Sequence, residues 1–490
     1  MNLEELVSYK NSDVHIVGPS GAEGTAVLRL LVRLGFTKIT VHDRASGAEF
    51  DRAFRHSHIG IPAKDRLELL KWVKALPVEW RTGGQYLRGA KNADLIFLPQ
   101  SWYLYEENLK VIAPLRRSGK LTSSMTELYF GLAPCPIIGV TGTNGKSTTA
   151  KLIDEILSGS RLNHHFAGND RHNVQVLHEV LDYASDDVLL LEVSNRQLKD
   201  LDKAPHIAVV TNIAQDHVAE HGSFEAYAET KAKIVKNQTE KDFAVLNYDD
   251  RRCREIALAS RSQVYFFSTR DDELERGAFV RAGRLYLSVP GKVVSICRKS
   301  DLRIPGEHNL ANALAAALAS YLAGAEISAI SRGVRGFKGK ALRLQWVATI
   351  GGVAFYNDVK STTPHATVAA LRSLDGPIIL IAGGEDKGLD YDELAAEIEK
   401  VELVELLPGS GSAKISQAVA RISGKGSAPG INECSTLGEA VRHAFEAAQP
   451  GTSILLSPAC PSFYSLYIGS PKRGFGAIIK ELKEEIDGKS

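Results

Sequence analysis

The sequence has no C-x-x-C pair. Its five cysteines, Cys135, Cys253, Cys297, Cys434 and Cys460, are odd in number and widely scattered, which argues against a disulfide framework and against a zinc site. A reducing cytoplasm is the expected location. No apolar run approaches the roughly 18 residues that a membrane-spanning helix requires, and the first residues, Met1-Asn2-Leu3-Glu4-Glu5, are acidic. Neither membrane insertion nor a signal peptide is expected. An excess of one charge is also missing: Lys+Arg 59 against Asp+Glu 58 leaves a net +1. Such a balance gives no polyanion-binding surface, and nucleic acid is not an expected partner. Internal repeats and low-complexity tracts are absent.

What the chain has is length and apolar content. Its 490 residues, 44% of them hydrophobic, suffice for about three domains at roughly 150 residues each. The most informative stretch is Gly142-Thr143-Asn144-Gly145-Lys146-Ser147-Thr148, which follows the apolar run Pro136-Ile137-Ile138-Gly139-Val140 and opens a helical stretch, Ala150 to Leu157. A strand that turns through glycines into a helix aims several N–H groups at one point, and a lysine there adds a full positive charge. This is a phosphate cradle in which Lys146 reaches the β/γ-phosphates of ATP and the Ser147 hydroxyl ligates Mg²⁺. Its glycines stand closer together than in the common P-loop. The run Thr-Gly-Thr-Asn-Gly-Lys-Ser-Thr resembles the ATP loop of the Mur ligase and folylpolyglutamate synthase superfamily.

Before the loop, Val14-His15-Ile16-Val17 reads as a buried strand, Ala26 to Leu34 as an apolar helix and Ile39 to Asp43 as a second strand. The unit has the β-turn-α-β form of nucleotide-binding folds, with Asp43 near the position of a ribose-binding acid. Gly18-Pro19-Ser20-Gly21 is not the G-x-G-x-x-G fingerprint, which disfavours an NAD-dependent enzyme. Ala93 to Leu98 reads as a later strand.

In the centre, Asp187 to Val193 is an apolar strand broken by Glu192. A carboxylate at the end of a buried parallel strand requires a cation, either Mg²⁺ beside the phosphates or a structural ion pair. Taken alone, His217 reads as a core or surface histidine and Lys231 as a solvated helix lysine. The stretch Asp216-His217, His221-Gly222-Ser223-Phe224-Glu225-Ala226-Tyr227 and Lys231-Ala232-Lys233, however, closely resembles the Mur ligases, above all their glutamate-adding MurD type.

That resemblance implies carbamylated Lys231 and two Mg²⁺ ions, with Ser147, Glu192, His217 and Lys231 at the metals. It further implies that Asn169 and Ser194 face the substrate, and that Asn309 and Asn312, in and after Gly306-Glu307-His308-Asn309, bind adenine. A satisfied helix N-terminus is the plain alternative for the last pair. The family's Ser-Ser-Phe-Gln is Ser194-Asn195-Arg196-Gln197 here, and its Ser-Pro-Gly-Ile is Leu98-Pro99-Gln100-Ser101, followed by Trp102 and Tyr103.

In the last segment, Val353 to Tyr356 reads as a strand before Asn357-Asp358-Val359-Lys360-Ser361-Thr362, which resembles the MurD-type Asn-Asp-Ser-Lys-Ala-Thr. Pro377 to Ala382 reads as another before Gly383-Gly384-Glu385-Asp386-Lys387. The resemblance implies that Arg343 meets the ATP γ-phosphate, Asp358 the ribose, and Lys360, Thr362, Lys387 and Ser462 the incoming glutamate. Lys387 could equally be a solvated turn lysine. Around Ile468 the chain is one residue longer than the family pattern.

The expected architecture is α/β in three domains: a Rossmann-like domain over 1–130 that takes the UDP end of the substrate, a P-loop ATPase-type domain with a mostly parallel sheet over 131–340, and a Rossmann-like amino-acid-binding domain over 341–490 that closes over the site. The implied reaction converts a carboxylate of UDP-N-acetylmuramoyl-L-alanine to an acyl phosphate with ATP, assisted by Lys146, His217, Lys231 and Arg343. The amine of glutamate, most closely D-glutamate, then attacks. A monomer is expected. A sister ligase with another acceptor or donor, and a module that hydrolyses ATP to drive a partner, are the alternatives.

Overall fold

The computed structural model describes residues 1–117, 121–169, 173–214, 221–270, 274–339, 342–386, 388–398, 401–422, 429–460 and 474–487. They form two compact units, Met1–Lys299 with Ala311–Val334, and Ser300–Leu310 with Arg335–Ser490.

The first unit holds two sheets. One has five strands, β1 (Val14–Val17), β2 (Ile39–Asp43), β3 (Glu79–Thr82), β4 (Leu95–Phe97) and β5 (Leu121–Ser123), in the order β3-β2-β1-β4-β5. All of its pairs are parallel. β1 and β2 have the bounds expected from sequence because their apolar runs are buried on both faces. The expected helix after β1 starts earlier than its apolar run, at Ala22.

The other sheet of this unit has nine strands: β6 (Ile137–Thr141), β7 (His164–Ala167), β8 (Val188–Glu192), β9 (Ile207–Val210), β10 (Phe243–Asn247), β11 (Gln263–Ser268), β12 (Gly277–Arg281), β13 (Arg284–Val289) and β14 (Lys292–Arg298). Their order is β14-β13-β12-β11-β10-β9-β6-β8-β7. From β7 to β12 every pair is parallel, and only β12–β13 and β13–β14 are antiparallel. The C-terminal ends of β8, β6 and β9 therefore lie side by side, the place where parallel sheets present their loops to ligands. The helix Lys146–Ser158 buries Ala150, Leu152, Ile153, Ile156 and Leu157, each large apolar side chain contributing on the order of 2 kcal/mol. That anchorage fixes the loop at its N-terminus.

The second unit has a six-stranded sheet: β15 (Gln345–Ile350), β16 (Val353–Asn357), β17 (Ile378–Gly383), β18 (Leu403–Leu407), β19 (Gly430–Glu433) and β20 (Ser453–Leu456), in the order β15-β16-β20-β17-β18-β19. Only the β15–β16 pair is antiparallel. Among the described residues no helix is long and apolar enough to cross a membrane.

Candidate active site

The loop after β6 is held from below by the end of β9. Thr143 donates its N–H to the Asn212 carbonyl at 2.8 Å, Asn144 donates to Asn212 Oδ1 at 3.0 Å, and Thr211 Oγ1 donates to the Asn144 carbonyl at 2.5 Å. The Thr143 hydroxyl lies 3.1 Å from Tyr227 Oη. Gly142 and Gly145 have φ of +145° and +83°. A Cβ on Gly142 would sit 1.9 Å from Thr211 Oγ1, and one on Gly145 2.2 Å from Asn312 Oδ1. Glycine is required at both positions by backbone geometry and by space. Lys146 Nζ folds back to the Gly142 and Thr143 carbonyls, at 2.8 Å each, which keeps the ammonium at the loop. Thr148 lies in the first turn of the helix.

Beside the loop, Ser147 Oγ donates to Glu192 Oε1 at 2.7 Å. Glu192 is buried, and its Oε2 has no hydrogen-bond partner among the described residues. A buried, half-satisfied carboxylate is strongly unfavourable unless a cation joins it. The donor set, a hydroxyl and a carboxylate next to a phosphate cradle, fits a hard divalent ion such as Mg²⁺.

Lys231 is not the solvated lysine that its local sequence suggests. It is 1% exposed, its Nζ donates to Thr141 Oγ1 at 3.3 Å, and the charge lies 5.3 Å from the Tyr227 ring centroid. The helix Phe224–Lys236 buries Tyr227, Lys231, Ile234 and Val235. These positions share one helical stripe, so the period of Tyr227, Ile234 and Val235 was the signal that places Lys231 inside. Asn312 also belongs here, accepting from Thr149 Oγ1 at 3.2 Å.

A polar chain links two expected substrate-facing residues through one that the sequence pointed to only as a departure from the family. Gln100 donates its amide to Asn169 Oδ1 and accepts from Ser194 Oγ at 2.7 Å. Its N–H donates to Glu23 Oε2 at 2.6 Å, and Glu23 Oε1 accepts from Gln197 at 2.7 Å. Burial pushes the Glu23 carboxyl above its ordinary range. Gln100, Tyr103, Arg196 and Asp200 line one cleft. Burial, together with the Asp202 charge and against the opposing pull of Lys233, raises Asp200 to about 6. Trp102, by contrast, is a core side chain, 1% exposed.

Asp43 is also turned inward. Its carboxylate accepts the N–H groups of Ser20 at 2.7 Å and Ala45 at 2.9 Å, so it fastens the turn after β1.

In the second unit, Arg343 stands between two left-handed leucines, Leu342 (φ +65°) and Leu344 (φ +40°). Such conformations store strain unless neighbours hold them. Asp358, 4% exposed, supplies part of that hold, accepting the Leu344 N–H at 2.9 Å and the Ser457 hydroxyl at 2.8 Å. Burial pushes its carboxyl up, against the pull of those donors and of the Arg343 charge. Lys360 donates its N–H to the Leu342 carbonyl at 3.2 Å, and Thr362 donates to Lys360 at 3.0 Å, so Arg343, Asp358, Lys360 and Thr362 share one loop cluster. Asn309 donates its side-chain amide to the Pro305 carbonyl at 2.7 Å within this unit. Asn309 and Asn312 thus fall in different units. His217, Lys387 and Ser462 lie outside the described residues, as does Ile468.

Residues 140–320 match the Mur ligase middle domain, and residues 342–460 the Mur ligase glutamate ligase domain. A UDP-N-acetylmuramoylalanine--D-glutamate ligase of Symbiobacterium thermophilum is 38% identical over 467 residues, covering 94% of this chain and 96% of that protein. One from Caldanaerobacter subterraneus subsp. tengcongensis is 36% identical over 480 residues, covering 97% of this chain and 100% of that protein. Among solved structures, a UDP-N-acetylmuramoyl-L-alanyl-D-glutamate--2,6-diaminopimelate ligase is similar with a TM-score of 0.56 at 19% identity, covering 81% of this chain and 92% of that one. The UDP-N-acetylmuramate-alanine ligase MurC of Thermotoga maritima gives 0.51 at 14% identity, covering 98% and 100%. These two likenesses show the fold.

A parallel sheet whose central strand feeds a glycine loop, a lysine and a hydroxyl into a helix N-terminus defines the class, an ATP-dependent enzyme of the P-loop type. The chain belongs to the Mur ligase family, the ATP-dependent amide ligases of peptidoglycan precursor synthesis.

Proposed function

We propose that the chain joins D-glutamate to UDP-N-acetylmuramoyl-L-alanine, with ATP converting the substrate carboxylate to an acyl phosphate. The observation that carries the activation chemistry is the Ser147–Glu192 pair beside the loop, with Glu192 Oε2 buried and without a described partner. Identity to D-glutamate ligases over nearly the whole chain supports the acceptor. On this reading residues 1–130 take the UDP end, 131–340 bind ATP, and 341–490 hold the amino acid.

A carboxylate is a poor acyl donor because its leaving group is oxide, so it must first be phosphorylated. Lys146 offsets phosphate charge, and the N–H groups of the loop orient the γ-phosphoryl group for in-line attack by the carboxylate oxygen. By family likeness Arg343 is assigned to the γ-phosphate, where a permanent planar charge suits a transferring phosphoryl group. Glu192 and Ser147, joined by carbamylated Lys231 and by His217, would hold two Mg²⁺ ions, which supply charge neutralisation when bound. Lys231, buried and hydrogen-bonded to Thr141 Oγ1, is the residue assigned to the carbamate. Asn169 and Ser194, tied through Gln100, position the substrate, while Lys360, Thr362, Lys387 and Ser462 hold the glutamate whose amine then displaces phosphate. Asn309, Asn312 and Asp358 are assigned to the adenosine. The protein acts as a monomer in the cytoplasm.

Product analysis with Mg·ATP, UDP-N-acetylmuramoyl-L-alanine and D-glutamate, L-glutamate or neither tests this reading. A dipeptide product only with D-glutamate is expected. A product only with L-glutamate would move the chain to a sister ligase, and equal phosphate release in all three would make it an ATPase.

A further inference from the structure

Away from these residues, the sheet of the second unit gathers a carboxylate, a thiol and an imidazole at one point. Glu405 on β18 is fully buried and pairs in register with Asn432 on β19. Cys434 follows Asn432 by two residues, so its side chain falls on the same face of the sheet, and its N–H donates to the Leu406 carbonyl at 2.8 Å. The helix Leu437–Ala447 covers that face with Leu437, Ala440, Val441 and Ala444 and brings in His443. The Cys434 thiol donates to Glu405 Oε2 at 2.8 Å, its sulfur lies 3.7 Å from His443 Nδ1, and that nitrogen lies 3.8 Å from Glu405 Oε2. Among the described residues this is the one group of three such side chains able to share a metal ion.

We propose that Glu405, Cys434 and His443 bind one divalent cation of borderline softness, zinc or cobalt, which ties the edge strand β19 to β18 and to the helix Leu437–Ala447. Donors around a tetrahedral zinc stand roughly 3.3 to 3.6 Å apart, given metal–ligand bonds of about 2.0 to 2.3 Å. The sulfur–nitrogen and nitrogen–oxygen separations are already near that range. The sulfur–oxygen separation is a thiol hydrogen bond and lengthens when the cation replaces the thiol proton, which leaves to solvent. A thiolate with an imidazole and one carboxylate oxygen selects zinc or cobalt over magnesium or calcium. The other carboxylate oxygen accepts the Asn432 amide at 3.0 Å, the kind of supporting contact that orients a ligating carboxylate. Glu405 also has reason to take a cation, since its described hydrogen-bond partners are a neutral amide and a thiol. His443, with a side chain 45% exposed, provides the route in and leaves a fourth position to water. A ligand set with one cysteine leaves no C-x-x-C trace, so the cysteine spacing that argues against zinc does not register it.

The test is titration of the metal-free full chain with Co²⁺ in excess Mg²⁺. One equivalent giving a thiolate-to-cobalt charge-transfer band, displaced by Zn²⁺, is expected; Co²⁺ at an oxygen-lined Mg²⁺ site gives no such band. His443→Ala, at a position whose side chain is 45% exposed and whose folding is checked by its melting temperature, should weaken cobalt binding at least about tenfold, and Cys434→Ser should abolish the band. Absence of the band at stoichiometric cobalt overturns the proposal, as does its persistence in Cys434→Ser. Should Cys434→Ser fail to fold, unchanged cobalt affinity in His443→Ala alone overturns it.

Discussion

Ser147 donates its hydroxyl hydrogen to Glu192 across 2.7 Å, and the second oxygen of that buried carboxylate has no described partner. The pair joins the first turn of the loop helix to the end of β8. A hydroxyl and a carboxylate at this loop are donors of the kind a hard cation takes, and on the proposed reading they hold Mg²⁺. Glu192→Gln keeps the shape and removes the charge. It should lower kcat by about 100-fold or more, the scale of losing one electrostatic element of a preorganised site, and raise the Mg²⁺ concentration at half-maximal rate. Phosphate release measured against Mg²⁺ checks this; an unchanged Mg²⁺ dependence would sink the assignment.

Gly145→Ala should damage ATP binding without touching a charged group. The new Cβ meets Asn312 Oδ1 at 2.2 Å, and φ is +83°. The backbone strain alone is on the order of 1–3 kcal/mol. Pairing it with Asn312→Ala relieves the contact but not the dihedral, so only partial recovery is expected. ADP binding by calorimetry reports the single variant, and the melting temperature, compared with that of Asn312→Ala alone because Asn312 is assigned to the adenosine, reports the recovery; a melting temperature fully recovered to that of Asn312→Ala would show that the left-handed backbone is not needed.

Lys231 is buried against Thr141. If it works as a carbamate, Lys231→Ala removes an anion, and kcat should fall by about 100-fold or more. Added bicarbonate or short carboxylates should then restore part of the rate by standing in for the missing group. An undiminished rate, or an impaired rate indifferent to carboxylates, counts against the carbamate.

The first sheet carries a pH sensitivity of its own. His42 Nε2 lies 2.9 Å from His15 Nδ1, and His42 Nδ1 lies 2.6 Å from the Tyr86 carbonyl. Burial, then the neighbouring His42, lowers His15 from 6.5 to about 4, and burial lowers His42 as well. Both are neutral in the fold and protonate more readily once unfolded. The stability they protect is complete above about 6.5 and is lost as the pH falls toward about 4. The slope is at most about 1.4 kcal/mol per pH unit for each group. Thermal unfolding between those limits should show this fall, with a shallower slope in His15→Gln; an identical slope in the variant contradicts it.

Much of this was legible where the determinants are local. β1 and β2 follow from short apolar runs, and the loop at Gly142–Ser147 from a strand, two glycines, a lysine and a hydroxyl in succession. The burial of Lys231 was legible in the stripe it shares with Tyr227, Ile234 and Val235. The hydrogen bonds of Gln100 to Asn169 and Ser194 were not readable. These partners lie 69 and 94 residues away, and no periodicity specifies a side-chain amide bridging two loops. The inward turn of Asp43 depends on where the N–H groups of Ser20 and Ala45 point, which residue type alone does not fix. Glu405 lies on β18, Cys434 just past the end of β19 and His443 on a helix, so only the sheet register and the covering helix bring them together.

The central claim is that ATP activates the substrate carboxylate. UDP-N-acetylmuramoyl-L-alanine labelled with heavy oxygen in that carboxylate, incubated with Mg·ATP and D-glutamate, tests it directly. The carboxylate oxygen that attacks phosphorus must leave with the phosphate when the amine arrives, so each phosphate released should carry one labelled oxygen. Unlabelled phosphate would mean that water, and not the carboxylate, attacks ATP, and would contradict the account.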